Sequence, residues 1–124
     1  MRDLAAVMRS LVLGLAVLFG MGACASPPAG PLAADAVVID VRTPAEFAEG
    51  HLEGAVNIDL QSGAFEQQIA TLPLDGDYVV YCRSGNRSGQ AVEIMRGLGF
   101  ANLVDAGGLQ AASQASGLPI VTGS

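Results

Sequence analysis

Between Tyr78 and Gly99 the chain changes its period, and that change narrows the folds open to it. Tyr78-Val79-Val80-Tyr81 is a β-branched and aromatic run short enough to be a buried strand. Ala91, Met95 and Leu98 then recur at helical spacing, flanked by Ile94, until Gly97 and Gly99 end the pattern. Between strand and helix lies one short loop, Cys82-Arg83-Ser84-Gly85-Asn86-Arg87-Ser88. A strand handed directly to a helix is the repeating unit of α/β sheets.

The rest of the chain repeats that alternation. Ala36 to Val41 is a continuous β-branched run of the kind covered on both faces. Thr43-Pro44-Ala45-Glu46 reads as a capping box with proline in the first turn, opening a short helix that runs through Ala48 and stops at Gly50. Ala55 to Ile58 is a second strand, Gly63 to Leu72 a helix with Phe65, Ile69 and Leu72 on one face, and Ala101 to Asp105 the last strand. A weaker helical stretch follows from Leu109 to Ala115. The expected fold is α/β: a small, mainly parallel sheet of four to five strands flanked by helices, with ligands at the carboxyl ends of the strands. Cys82 sits at such an end.

The loop carries the chemistry. A cysteine at a strand-to-helix turn faces unpaired backbone N–H groups and the positive end of the helix dipole, which favour thiolate over thiol. Arg83 and Arg87 add formal charge, Gly85 permits close backbone approach, and Asn86 tolerates left-handed geometry. Ser88 is read first as a helix cap, with bonding to sulfur or substrate as its other use. The competing reading of Cys82 is a small buried hydrophobe. Two arginines and a glycine turn around it favour a nucleophile in an anion cradle, with Arg83, Ser84, Gly85, Asn86, Arg87 and Ser88 as the substrate-binding set.

The N-terminus points out of the cytoplasm. Arg2 and Arg9 precede the apolar run Leu11 to Phe19, and small residues follow, as in an export signal over residues 1–23. Met21-Gly22-Ala23-Cys24 resembles a lipobox, which would lipidate Cys24; cleavage before Ser26 by the A-x-A rule would instead release a soluble protein. The expected location is the bacterial periplasm or cell envelope, with membrane contact only through a lipid on Cys24. Residues 24–34, rich in proline and alanine, read as a flexible tether, and 35–124 as one domain. In an oxidising compartment a mature chain normally pairs its cysteines, yet Cys82 has no partner left, which suggests use.

Of the six basic and twelve acidic residues, four and eleven lie beyond residue 23, and there is no lysine. An acidic body argues against nucleic acid. Two of those four arginines are nevertheless in the cysteine loop, so a small anion is the natural ligand.

Three segments resemble the single-domain rhodaneses: VIDVRTPAEFAEGHLEGAVNI from Val38 to Ile58, YCRSGNRSGQA from Tyr81 to Ala91, and DAGGL from Asp105 to Leu109. The last, with the export signal, is most similar to the exported phage-shock members of that family. The resemblance implies a sulfurtransferase in which Cys82 takes sulfane sulfur from thiosulfate or a similar anionic donor as a persulfide and passes it to a thiophilic acceptor, cyanide or a thiol. It implies no metal and no organic cofactor. Two departures accompany it. Only about ten residues stand where the family often adds a strand and helix, which points to a four-stranded sheet, and the usual tryptophan after the double glycine is missing.

Asp40 and Arg42 fall at a strand end and are assigned a supporting role, as a pair tying strand to helix. His51 is read as a structural hydrogen-bonding residue, since a thiolate stabilised by its loop needs no base. Two rival functions remain. One is a non-enzymatic persulfide carrier or stress-response binding module. The other is a cysteine phosphatase or arsenate reductase, whose C-x5-R loop is one residue longer than the C-x4-R spacing from Cys82 to Arg87.

Overall fold

A computed structural model describes residues 35–123 of the chain. The signal segment, Cys24 and the tether lie outside the described residues. The elements in order are β1 (Val37–Asp40), α1 (Pro44–Glu49), β2 (His51–Leu52), β3 (Val56–Asn57), α2 (Phe65–Ile69), β4 (Asp77–Cys82), α3 (Asn86–Gly97), β5 (Asn102–Gly108), α4 (Leu109–Ser116) and β6 (Ile120–Val121).

Four strands form a parallel sheet in the order β3-β1-β4-β5, while β2 and β6 pair antiparallel in a small second sheet. The middle of the sheet is covered on both faces, because strands joined through helices carry those helices onto the faces: β4 is buried from Tyr78 to Cys82, while Val56 of β3 and Val104 of β5 stay exposed. Along β4 the side chains alternate. Tyr78, Val80 and Cys82 join Ile39, Val41, Phe65 and Ile69 of α2, and Ala91, Val92 and Met95 of α3 in one core. Tyr81 turns the other way, toward Leu52, Ala112 and Leu109 of α4. Its hydroxyl accepts the Leu52 N–H at 3.0 Å, which fastens β2 beneath the sheet. Each fully buried aliphatic of these clusters contributes about 1.5–3 kcal/mol, so β4 is anchored from both sides before its last residue reaches the site. Among the described residues no helix is long and apolar enough to cross a membrane.

The capping box of α1 forms as expected. The Thr43 hydroxyl accepts the Glu46 N–H at 3.3 Å, the Glu46 carboxylate accepts the Thr43 N–H at 3.4 Å, and Pro44 opens the helix. Three elements differ from the sequence reading. The helix expected over Gly63 to Leu72 is regular only from Phe65 to Ile69, because Thr71 and Leu72 donate to the carbonyls of Gln68 and Ile69 in tight three-residue turns just ahead of Pro73. β5 continues three residues past Asp105, since an irregularity opposite Val80/Tyr81 shifts the register by one and lets Gly107 and Gly108 pair with Tyr81 and Cys82. The two-residue ladder of β2 and β6 has no counterpart in the sequence reading.

Candidate active site

The site is built at the carboxyl end of β4, in the middle of the parallel sheet. Cys82 ends the strand with no exposed surface, and α3 begins four residues later. Gly85 takes the left-handed turn between them at φ 100°, a conformation costly for any residue with a Cβ, and so becomes the N-cap of α3. Asn86, expected to tolerate left-handed geometry, is instead the first residue of the helix.

That turn folds the loop around the sulfur. The Gly85 N–H donates to Cys82 Sγ at 2.8 Å, and Ser88 Oγ lies 3.5 Å from the same atom. Burial alone would push the thiol up; the Ser88 hydroxyl and the backbone N–H groups of Ser88, Gly85 and Ser84 outweigh it and hold the thiol below its usual range. Cys82 is thus a buried sulfur whose surroundings favour its anion.

Ser88 corrects the sequence reading. Its side chain caps nothing, since Gly85 holds the N-cap position with no side-chain bond. Fully buried, Ser88 places its hydroxyl between two acceptors, Gly85 O at 3.0 Å and Asp105 Oδ1 at 2.7 Å, and its oxygen accepts from the Cys82 thiol at 3.5 Å. In the sequence Asp105 stands out as the end of the last strand and the start of the DAGGL match, with no role at the cysteine. The signal that could have found it is a carboxylate at the carboxyl end of the strand next to β4.

The two loop arginines part company. Arg87 is engaged by α1: its two terminal nitrogens meet Glu46 Oε1 at 2.8 Å and Oε2 at 2.9 Å, a bidentate pair that closes loop against helix. The hydrogen bonds from Arg87, helped by those from Thr43, draw the Glu46 carboxyl down to about 2 despite its partial burial. Arg87 therefore does not stand open to an anion as the sequence reading had it, because a carboxylate more than forty positions away already holds it. Arg83 is exposed and makes no ion pair among the described residues. It borders a cleft of about 350 Å³ together with Glu46, Glu49 and Leu109. Ser84 and Asn86 are exposed at the rim.

Two further devices brace the loop. Ser84 bridges to Gly108 of β5, where an added Cβ would lie 2.6 Å from the Arg83 carbonyl oxygen, so only glycine lets the strand end approach the loop so closely. One strand away, Asp40 and Arg42 form a buried pair: Arg42 Nη2 donates to Asp40 Oδ2 and to Gly50 O, each at 2.6 Å, and the guanidinium lies 5.7 Å from the Tyr81 ring centre. Asn57 donates to the carbonyls of both Asp40 and Arg42, at 3.1 and 2.9 Å. The pair ties the end of β1 to the end of α1 and makes no hydrogen bond to the cysteine loop among the described residues. His51 stacks on Phe47 at 3.6 Å and bonds the Phe47 carbonyl through Nδ1 at 2.7 Å, locking α1 to β2.

A buried cysteine thus lies at the focus of a strand-to-helix amide loop. The model of the rhodanese-like domain matches residues 29–115, most of the chain. The chain belongs to the rhodanese-like domain family. Among its curated relatives, thiosulfate sulfurtransferase PspE of Escherichia coli (strain K12) is 43% identical over 74 residues, covering 58% of this chain and 69% of that protein. A sulfurtransferase of Allochromatium vinosum is 36% identical over 87 residues, covering 70% and 79%. Among solved structures, a rhodanese with anions from E. coli superposes with a TM-score of 0.60 at 34% identity, covering 70% of this chain and 98% of that one. A rhodanese-related protein of Thermoplasma volcanium gives 0.59 at 36% identity, covering 70% and 84%. The sheet around the Cys82–Ser88 turn is thus that of a rhodanese-like domain.

Proposed function

We propose that this rhodanese domain moves sulfane sulfur from thiosulfate, or a similar small anionic donor, to a thiophilic acceptor through a persulfide on Cys82. The observation that carries this reading is the convergence of Gly85, Ser84 and Ser88 donors on a buried Cys82 sulfur. The Cys82 thiolate attacks the outer sulfur of thiosulfate; a new S–S bond forms with the cysteine's electron pair, and the old S–S bond breaks with its pair leaving as sulfite. One negative charge stays on the outer sulfur, stabilised by the loop amides of Arg83 to Ser88. Cyanide or a thiolate then attacks that outer sulfur and returns the Cys82 thiolate. Arg83, exposed at the cleft, meets the donor's sulfonate, while Arg87 shapes the loop and contributes its charge from the Glu46 pair.

The names of the relatives support this reading, as does the C-x4-R spacing, which makes a tighter cradle than the C-x5-R loops of phosphatases. The N-terminal sequence supports a site of action in the periplasm or cell envelope, with residues 1–23 as signal, 24–34 as tether and 35–124 as the rhodanese-like domain, held to the membrane by a lipid on Cys24 or released as a soluble protein by cleavage before Ser26.

Intact mass spectrometry before and after thiosulfate, and again after cyanide, tests the proposal. One sulfur should be gained at Cys82 and lost to cyanide as thiocyanate, with neither event in Cys82→Ser. Absence of sulfur uptake with the thiol still titratable would reject the enzyme in favour of a binding module.

A further inference from the structure

Ser88 has one hydroxyl hydrogen and two acceptors for it while Cys82 is a thiol that donates to Ser88 Oγ; ionisation turns the sulfur into a third. Asp105 Oδ1, the nearest at 2.7 Å, is a carboxylate oxygen; Gly85 O lies at 3.0 Å and Cys82 Sγ at 3.5 Å. A charge-assisted bond is about twice as strong as a neutral one, so Asp105 holds the hydrogen whenever the sulfur is uncharged. The same Oδ1 accepts the Gly107 N–H at 3.0 Å, which fixes the carboxylate at the register shift of β5. Ser88 and Cys82 are fully buried, so no bulk water stands in for the hydroxyl, whereas Asp105 is exposed and its carboxylate is partly solvated.

We propose that Asp105 is a positioning residue for sulfur transfer: by competing for the Ser88 hydroxyl it withholds a hydrogen bond from the Cys82 thiolate, which keeps that sulfur a strong nucleophile and a reluctant leaving group. The assignment rests on the sulfurtransferase reading for its consequences in turnover, and on geometry for the competition itself. When Cys82 becomes a persulfide its inner sulfur is neutral, and the hydroxyl settles on Asp105; when cyanide removes the outer sulfur, the electron pair of the broken S–S bond returns to Sγ, and the hydroxyl is drawn back toward it. Asp105 thus favours the loaded state over the discharged one. The other charges around the site come from its loop, Arg83 and Arg87, from Glu46 of α1 paired with Arg87, and from Asp59 ahead of α2, which acts on Arg87; Asp40 and Arg42 at the end of β1 neutralise each other.

The test is Asp105→Asn, alone and with Ser88→Ala, in the expressed protein carrying Cys24→Ser so that Cys82 is its sole thiol. The Gly107 N–H keeps the amide oxygen of Asn in place, so the substitution removes charge and little else. Ultraviolet titration of the thiolate should move down by about half to one pH unit. With a Brønsted slope near 0.4–0.5, attack of the fully ionised thiolate on thiosulfate should slow about two- to three-fold, and discharge of the persulfide by cyanide should quicken by a similar factor, each followed by quenched-flow mass spectrometry. In the Ser88→Ala background the effect of Asp105→Asn should shrink by at least half. Slowing of both half-reactions together would mark a structural role and overturn the assignment, as would an undiminished effect without the Ser88 hydroxyl. Failure of the unsubstituted protein to take up sulfur would reject the sulfurtransferase reading instead, and the titration arm would still decide whether Asp105 acts through Ser88.

Discussion

Replacing Glu46 with glutamine isolates the ion pair that closes α1 onto the cysteine loop. Glutamine keeps the capping box with Thr43, because its side-chain oxygen accepts the same backbone N–H, so what is lost is the charge facing Arg87. In the folded protein the Glu46 carboxyl is drawn from 4.5 to about 2 by Arg87. At 1.36 kcal/mol per unit that is a ceiling of about 3 kcal/mol. With 20% and 21% of the two side chains exposed, solvent screening reduces the working figure to about 1–2 kcal/mol. The sign follows from linkage. A carboxyl whose folded value is depressed adds stability that is complete above the unfolded value of 4.5 and is lost as pH falls through the folded value near 2. Urea unfolding of wild type and Glu46→Gln should therefore differ by about 1–2 kcal/mol at pH 7, with less than half of that difference left at about pH 3. A difference that does not change with pH would show that the pair is not what Glu46 contributes, and the account of the loop closure would fall.

Two further outcomes follow from the site. Arg42→Ala leaves the fully buried Asp40 carboxylate without its guanidinium, and urea unfolding should show a loss of about 3–5 kcal/mol, whereas a loss under about 1 kcal/mol would contradict a buried pair. Gly108→Ala meets the Arg83 carbonyl at 2.6 Å without any dihedral strain, Gly108 being extended at φ −82°, so the loop must move. Persulfide formation should fall at least about ten-fold while the far-ultraviolet circular dichroism stays unchanged, and full activity would refute the bracing role.

Much of this arrangement can be read from residues alone, and the reasons differ by element. β1 and β4 are legible because a strand covered on both faces must be apolar throughout, and α1 because Thr43, Pro44 and Glu46 signal a helix start within four positions. The position of Cys82 follows from the change of period around it. What is not legible depends on partners distant in sequence. Arg87 and Glu46 are far apart along the chain, and no local pattern says whether an arginine will meet substrate or a carboxylate. Ser88 at the start of a helix resembles a cap until Gly85 is found holding that position. Asp105 acquires meaning through the register shift in β5, and the ladder of β2 with β6 is too short to carry a period of its own.

The strand order has a consequence for how the molecule comes into being. Every pair in the four-stranded sheet is parallel, and β1 meets β4 through partners about forty positions apart, such as Val37 with Tyr78. No hairpin within that sheet offers a local nucleus, so the entropy of closing long loops is spent before pairing rewards it, and topologies of this kind fold slowly. The amide turn around Cys82 is braced only when β4 is clasped between β1 on one side and β5 on the other, since the Ser84–Gly108 bridge belongs to the second of those pairings. The Cys82 thiol has its complete native surroundings only once both of these long-range pairings are in place.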